Sequence, residues 1–480
     1  MAGHPVNLSA AEPSGKRAPS DCPRPIRGVA VNNRQRLDLC RSGPLFSPSF
    51  LTANDRPGRH PASYYAATAK EIAPFPEPTG RLSCDACVIG GGFTGLSTAL
   101  HLAERGLDVV LLEAHRVGWG ASGRNGGQVG SGQRLGQDKL ESWLGKDDAK
   151  TLWQIAEDAK DLVRTLIARH SIACDFKPGI LHADHRQRFV KDSHDYAALL
   201  RDRYGYDQIR ALGRDEVRAM LGTTAYYGGT LDMGAGHLHP LNFALGLADA
   251  ARRAGVRVFE KAQVLGIEEG TPNRVRLAQA EVDAEFVVLA CNGYLDDLEP
   301  RVARRVMPIN NFIIATEPLP EETARTLIRD DVAVADSRFV INYYRLSADR
   351  RLLFGGGETY SYKFPADIKS FVRPTMLKIY PQLAEAKIDY GWGGTLAITA
   401  HRLPYFARLG PKYLSAGGYS GHGVALATMA GRIVADAIGG TAERMDLLSR
   451  LPVRPFPGGP HLRWPLLVLA MSYYALRDRL

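Results

Sequence analysis

The apolar residues change period several times along the chain, and each change predicts an element. The run Cys87-Val-Ile is broken by Gly90, Gly91 and Gly92; beyond it Leu96, Ala99, Leu100 and Ala103 recur at helical spacing, and Val109-Val-Leu-Leu ends in Glu113. This reads as a buried strand, a glycine turn, an amphipathic helix and a second strand tipped by an acid, which together make a βαβ unit. Trp153, Ile155, Ala156, Ala159, Leu162, Val163, Leu166 and Ile167 predict a long helix over 150–169. Residues 179–190 alternate as strands of a mixed sheet. Pro240 opens a helix with Leu241, Ala244, Leu245, Ala248 and Ala251 on one face, and Gly255 ends it. Strands are expected over 256–259, 263–267 and 286–293. From 299 to 395 the pattern alternates, with aromatics at Phe339, Tyr343, Tyr344, Phe354 and Tyr360, as suits an antiparallel sheet. Residues 413–435 repeat the order strand, glycine turn, helix, and 464–478 form an apolar helix that packs on the body.

These elements define an α/β fold, discontinuous in sequence. A Rossmann-type domain with a mostly parallel sheet takes residues 61–165, 236–298 and 396–448. A second, α+β domain on a mixed or antiparallel sheet takes 166–235 and 299–395. Residues 449–480 are a tail. Residues 1–60, rich in Pro, Ser, Arg and Asn, carry no sustained period and are expected to be a disordered leader. Two other readings of the leader stay open: a mitochondrial transit peptide, or sequence upstream of a start near Val31 or Leu51.

Charge changes the picture little. The formal net charge is +9, but residues 1–60 hold nine Lys or Arg against four Asp or Glu, and the rest is nearly balanced. No basic stripe marks a nucleic-acid footprint. The six cysteines, at 22, 40, 84, 87, 174 and 291, form no disulfide framework, and Cys84-Asp-Ala-Cys87 has no second pair to complete a zinc site. The pairs His182/His185 and His237/His239 have no carboxylates at ligand spacing, so no metal is expected. With no run of 18 apolar residues, a cytoplasmic protein is expected.

The glycine turns carry the candidate chemistry. Gly90, Gly92 and Gly95 have the spacing of a dinucleotide fingerprint, with phosphates at the helix N-terminus beside Phe93 and Thr94 and ribose hydroxyls on Glu113. Five glycines lie in Gly118-Trp-Gly-Ala-Ser-Gly-Arg-Asn-Gly-Gly-Gln128, which suits backbone passing close to a flat ligand. The later turn Gly417-Gly-Tyr-Ser-Gly-His-Gly423 lacks the first fingerprint's spacing and offers a second helix N-terminus.

Together with Ser63-Tyr-Tyr-Ala-Ala-Thr, Phe354-Gly-Gly-Gly-Glu358 and Trp392-Gly-Gly394, these motifs resemble the D-amino acid oxidase (DAO) superfamily of FAD enzymes. Within it they are similar to the bacterial gamma-glutamylputrescine oxidoreductases. The resemblance spans residues 60–480 and implies FAD-dependent oxidative deamination of an amine, with O2 or another electron acceptor. It implies that Gly90, Gly92 and Gly95 meet the pyrophosphate and Glu113 the adenosine ribose. Ala121, Ser122, Arg124, Asn125, Gly126, Gly127 and Gln128 would pass the flavin, Val264 the adenine, and Gly418, Ser420, Gly421, His422, Gly423 and Val424 the pyrimidine edge of the isoalloxazine. Arg124 stands where some relatives carry a histidine that tethers FAD, so non-covalent FAD is implied. Leu352 or Leu353 stands where sarcosine oxidases have a lysine for oxygen activation, which leaves fast reaction with O2 open.

A bound amine reacts in its neutral form, and an aromatic pocket favours that form by desolvating the cation. Tyr343, Tyr344, Trp392 and His422 are the candidate catalytic residues, with Tyr405 a further candidate pocket aromatic. Tyr419, Arg345 and Arg402 are candidates for substrate contact, the two arginines for a carboxylate. The alternatives are a glycine, sarcosine or D-amino acid oxidase or dehydrogenase and, from other classes, an NAD-dependent dehydrogenase or a non-catalytic flavin-binding module.

Overall fold

The computed structural model describes residues 49–359 and 361–457. The helix expected over 464–478, Tyr360 and most of the leader lie outside the described residues.

The βαβ unit forms because the strand Gly80–Ile89 and its neighbour Val109–Leu112 bury almost every side chain near the turn. Strands buried on both faces require helices above and below. The sheet runs Tyr405–Gly410, Tyr413–Gly417, Ala280–Leu289, Gly80–Ile89, Val109–Leu112, Arg257–Phe259, with the hairpin Gly266–Glu268 and Asn273–Arg276 attached to Ala280–Leu289. Its central pairs are parallel. The helix Phe93–Ala103 packs beside Gly423–Ile438, and Ser97 Oγ donates to the Thr428 carbonyl at 2.6 Å. Leu96, Leu100, Ile433 and Val434 are buried in this layer, each contributing about 1.5–3 kcal/mol. Since these two helices lie side by side, the two glycine turns that precede them also converge.

The second sheet runs Ile388–Ile398, Met307–Thr316, Leu352–Thr359, Tyr343–Leu346, Ala333–Asp336, Lys177–Ala183, Gly229–His237, Gln128–Val129, with Ile209–Leu212 paired to Gly229–His237. The pair Ala333–Asp336 and Lys177–Ala183 is parallel; the others are antiparallel. First-sheet strands come from 61–165, 236–298 and 396–448. Second-sheet strands come from 166–235 and 299–395, apart from Gln128–Val129 and short overruns by Gly229–His237 and Ile388–Ile398.

Two expectations need correction. The strands expected over 179–190 stop at Ala183, and Gln187–Tyr204 is a helix closed by Gly205 at φ 64°. Only Ala197 and Leu200 of that helix are buried, so its apolar spacing is too sparse to show a helical period. The end of the leader is also ordered. Phe50 is buried with Trp119 and Tyr294, and Asp55 forms a 2.6 Å ion pair with the buried guanidinium of Arg124. Among the described residues no single helix is long and apolar enough to cross a membrane.

Candidate active site

The first turn is held open for a ligand by backbone geometry. Gly90 has φ 113°, and a Cβ on Gly95 would stand 1.8 Å from the Gly90 carbonyl oxygen, so the helix lies against the turn. Glu113 locks the arrangement: Oε2 accepts from Gly91 N and Oε1 from His115 N, both at 2.8 Å. Burial pushes its carboxyl up to about 7, against the pull of those N–H groups. A buried carboxylate with lone pairs to spare suits hydroxyl donors from a ligand. On the adjoining segment, neither the N–H nor the C=O of Val264 has a hydrogen-bond partner among the described residues.

Residues 118–128 fold back on themselves. Asn125 Nδ2 donates to the Ala121 and Ser122 carbonyls, both at 3.0 Å, and Asn125 Oδ1 accepts from Gly127 N at 2.7 Å. Ser122 Oγ accepts from Phe93 N at 2.9 Å, so the loop caps the helix of the first turn. In the second turn Ser420 N donates to Ala397 O at 3.0 Å and Gly418 N to Asn292 Oδ1 at 2.9 Å. Thr94 Oγ1 and the Tyr419 hydroxyl are 2.7 Å apart, and the His422 imidazole lies against the backbone of Gly130. The loop around Asn125, the turn around His422 and the turn at Gly92 therefore converge on one region.

The surroundings of that region sort the remaining candidates. Tyr343 faces it: its ring packs over Gly126 and Gly355, and its hydroxyl donates to Asn311 Oδ1 at 2.5 Å. His422 Nε2 is buried and unpartnered among the described residues. Burial, then the nearby Arg134 charge, lowers its pKa to about 4, so the ring is neutral. Arg402 is half-buried at the rim, 5.5 Å from the Phe339 ring.

Six other side chains are used elsewhere. Tyr344 points into the opposite core, stacked on Phe354 at 5.4 Å with its hydroxyl on Tyr226, because adjacent strand residues face opposite sides. Arg345 is buried and spends its guanidinium on the carbonyls of Gly126, Leu238 and Leu346 and on the Tyr65 hydroxyl. Tyr419 is sealed between the two helices by its bond to Thr94. Trp392 is buried behind the loop and donates Nε1–H to the Arg124 carbonyl at 3.0 Å. Arg124 binds Asp55, Trp119 O and Gly393 O, and Gln128 Nε2 binds Val334 O at 2.8 Å.

Sequence reasoning gave no role to Arg134, Glu358 or His182. Burial pushes Glu358 up to about 7, opposed by Arg402 and Arg134, and lowers Arg134 to about 10. His182 is exposed, with Asp232 and Arg134 near enough for their charges to act on it. The run Phe354-Gly-Gly-Gly-Glu358 held the signal for Glu358, since glycines beside one acid on a strand mark a site of close approach.

Residues 85–437 match the family described as DAO, FAD dependent oxidoreductase. The chain is 44% identical over 428 residues to the gamma-glutamylputrescine oxidoreductase of Escherichia coli (strain K12), covering 88% of this chain and 99% of that protein. It is 42% identical to the probable oxidoreductase OrdL of Rhizobium meliloti (strain 1021), covering 87% and 97%. Among solved structures, glycine oxidase from Geobacillus kaustophilus superposes with a TM-score of 0.64 at 21% identity, covering 75% of this chain and 95% of that one. L-proline dehydrogenase from P. horikoshii superposes at 0.61 and 21%, covering 76% and 94%. These two structures share the fold. FAD replaces the nicotinamide alternative, and the chain belongs to the DAO family of FAD-dependent oxidoreductases.

Proposed function

We propose that the enzyme oxidises the terminal amine of gamma-glutamylputrescine, giving the aldehyde and ammonia after the imine hydrolyses. The observation that carries this reading is the 44% identity along 99% of a relative of that name. Bound FAD supplies the two-electron acceptor for the carbon–nitrogen bond.

The residues fit that group. The Gly90–Gly95 turn would hold the pyrophosphate, Glu113 the ribose and the free backbone of Val264 the adenine. Loop 121–127 and the turn 418–424 would flank the flavin. At the second turn, the N–H groups that open Gly423–Ile438 would stabilise negative charge with fixed dipoles. Tyr343 and neutral His422 would border the reacting carbon, in a setting that disfavours an ammonium and so favours the reactive amine. The same reading takes FAD as non-covalent, the 61–165, 236–298 and 396–448 segments as its domain and the enzyme as cytoplasmic. Oxygen or another carrier would accept the electrons.

Glu113 makes FAD affinity depend on pH. Its carboxyl stands near 7 without a ligand, and ribose hydroxyls donating to it favour the charged form, so binding releases a proton. FAD affinity therefore rises with pH by at most about tenfold per unit up to near 7 and then levels. Without FAD the sign for folding is opposite: a carboxyl raised above its unfolded value contributes stability below that value, and the contribution is lost as pH rises through 7. Fluorescence titration of FAD between pH 5.5 and 8.5 checks the slope, which Glu113→Gln should flatten.

The function is tested by assaying ammonia and aldehyde from a substrate panel. Turnover of gamma-glutamylputrescine with none of glycine, sarcosine or D-alanine is expected. Turnover of D-alanine or glycine alone would move the enzyme to the amino-acid oxidases of the family.

A further inference from the structure

Three charged side chains border this region: Glu358 and Arg134, which have no assigned task, and Arg402, a sequence candidate for a carboxylate. Glu358 stands at the end of the strand Leu352–Thr359, opposite Asn311 in antiparallel register. Directly opposed residues project to the same face. The Asn311 amide receives the Tyr343 hydroxyl, so Glu358 shares the face that meets the loop at Gly126. Arg134 lies on the loop that follows Gln128–Val129, whose Gly130 supports the His422 ring. Arg402 lies on the turn after Ile388–Ile398, at φ 61°. That turn is tied to the second glycine turn by Thr399 N donating to Ser420 Oγ at 3.2 Å.

Each of the three is near enough for its charge to act on the others. Yet among the described residues none of the three side chains forms an ion pair or a hydrogen bond, although other half-buried arginines are paired: Arg351 with Asp349 and Asp389, and Arg116 with Glu260. Opposite charges held apart in a partly desolvated space pay the cost of burial without the return of contact. A ligand carrying both charges would restore that contact.

We propose that Glu358, Arg134 and Arg402 form a head-group subsite for an α-amino acid zwitterion, with the ammonium on Glu358 and the carboxylate between the two guanidiniums. This rests on the reading of gamma-glutamylputrescine as substrate and says which end of it sets specificity. The subsite holds the glutamyl end and leaves the terminal amine free for oxidation. Free diamines lack the head group and are poor substrates.

The test uses the FAD-loaded enzyme and three amines: gamma-glutamylputrescine, glutarylputrescine, which lacks the α-ammonium, and 4-aminobutanoylputrescine, which lacks the α-carboxylate. The wild type should prefer the first by about ten- to a hundredfold in kcat/KM, the range of one charged hydrogen bond. Glu358→Gln should abolish the preference over glutarylputrescine through KM, with kcat changed by less than about threefold and the flavin spectrum unaltered. Arg134→Gln and Arg402→Gln should instead abolish the preference over 4-aminobutanoylputrescine. Equal wild-type efficiency on all three amines would overturn the subsite while leaving amine oxidation in place. A Glu358→Gln enzyme with kcat reduced alike on all three and KM unchanged would overturn it by placing the acid at the reacting carbon. Oxidation of none of the three, with glycine or D-alanine turned over, would remove the underlying function and the subsite with it.

Discussion

Gly95→Ala yields a chain that purifies without FAD. The added methyl carbon would sit 1.8 Å from the Gly90 carbonyl oxygen and 3.3 Å from Val88 Cγ1. The first obstacle is backbone, which cannot swing aside as a side chain does. Relief comes only by lifting the N-terminus of Phe93–Ala103 or by opening a turn whose Gly90 already occupies φ 113°. Overpacking of this kind costs about 1–3 kcal/mol or more, and here it distorts the N–H groups that would face the pyrophosphate. Retained FAD, read from visible absorbance per chain, should fall to below about one tenth, since 1.4 kcal/mol of lost binding is already tenfold. Far-ultraviolet circular dichroism should stay close to wild type because the sheet beneath is untouched. A fully yellow Gly95→Ala protein would show that the turn does not hold the cofactor.

The second large effect is on stability, at Arg345. Its guanidinium donates to Gly126 O and Leu238 O, both at 2.9 Å, and to Leu346 O at 3.2 Å. It thereby fastens the loop before Gln128–Val129 to the strand Tyr343–Leu346. Arg345→Met leaves those carbonyls buried without this donor, at about 1–3 kcal/mol for each that finds no other partner. On the order of 3–5 kcal/mol in all gives a fall in Tm on the order of 5–10 °C. Arg345→Lys should recover little, because a single ammonium cannot reach acceptors spread around a planar fork. Thermal unfolding distinguishes this from the role expected for Arg345 in substrate binding: a raised KM with unchanged Tm would return the residue to the substrate.

That contrast shows where sequence was sufficient. The βαβ unit was legible because each part is local: glycine spacing, helical period and a terminal acid lie within residues 87–113. The second glycine turn was legible as a helix start for the same reason. The second sheet was not, because which face a strand residue takes depends on register with strands far along the chain. Tyr343 and Tyr344 were both candidates, yet neighbours on a strand cannot share a face, and pairing with Gly355 and Phe354 decides between them. Arg345 lies on the cleft side of that strand but is consumed by carbonyls from residues 126 and 238, which no spacing reveals. Asp55 escaped for a related reason. It lies in a stretch without period, and its value comes from Arg124, 69 residues away. Glu358 and Arg134 are brought together only by tertiary structure, and the lack of an ion pair at either side chain among the described residues is visible only there.

Two glycine turns and the face bearing Tyr343 would enclose one FAD that oxidises an amine. Anaerobic titration of the purified enzyme with gamma-glutamylputrescine, followed by visible absorbance, tests it most directly. Oxidised-flavin bands at one FAD per chain that bleach with one equivalent of the amine are expected. A colourless protein that takes up no FAD, or flavin bands that no amine in the panel bleaches, would contradict it.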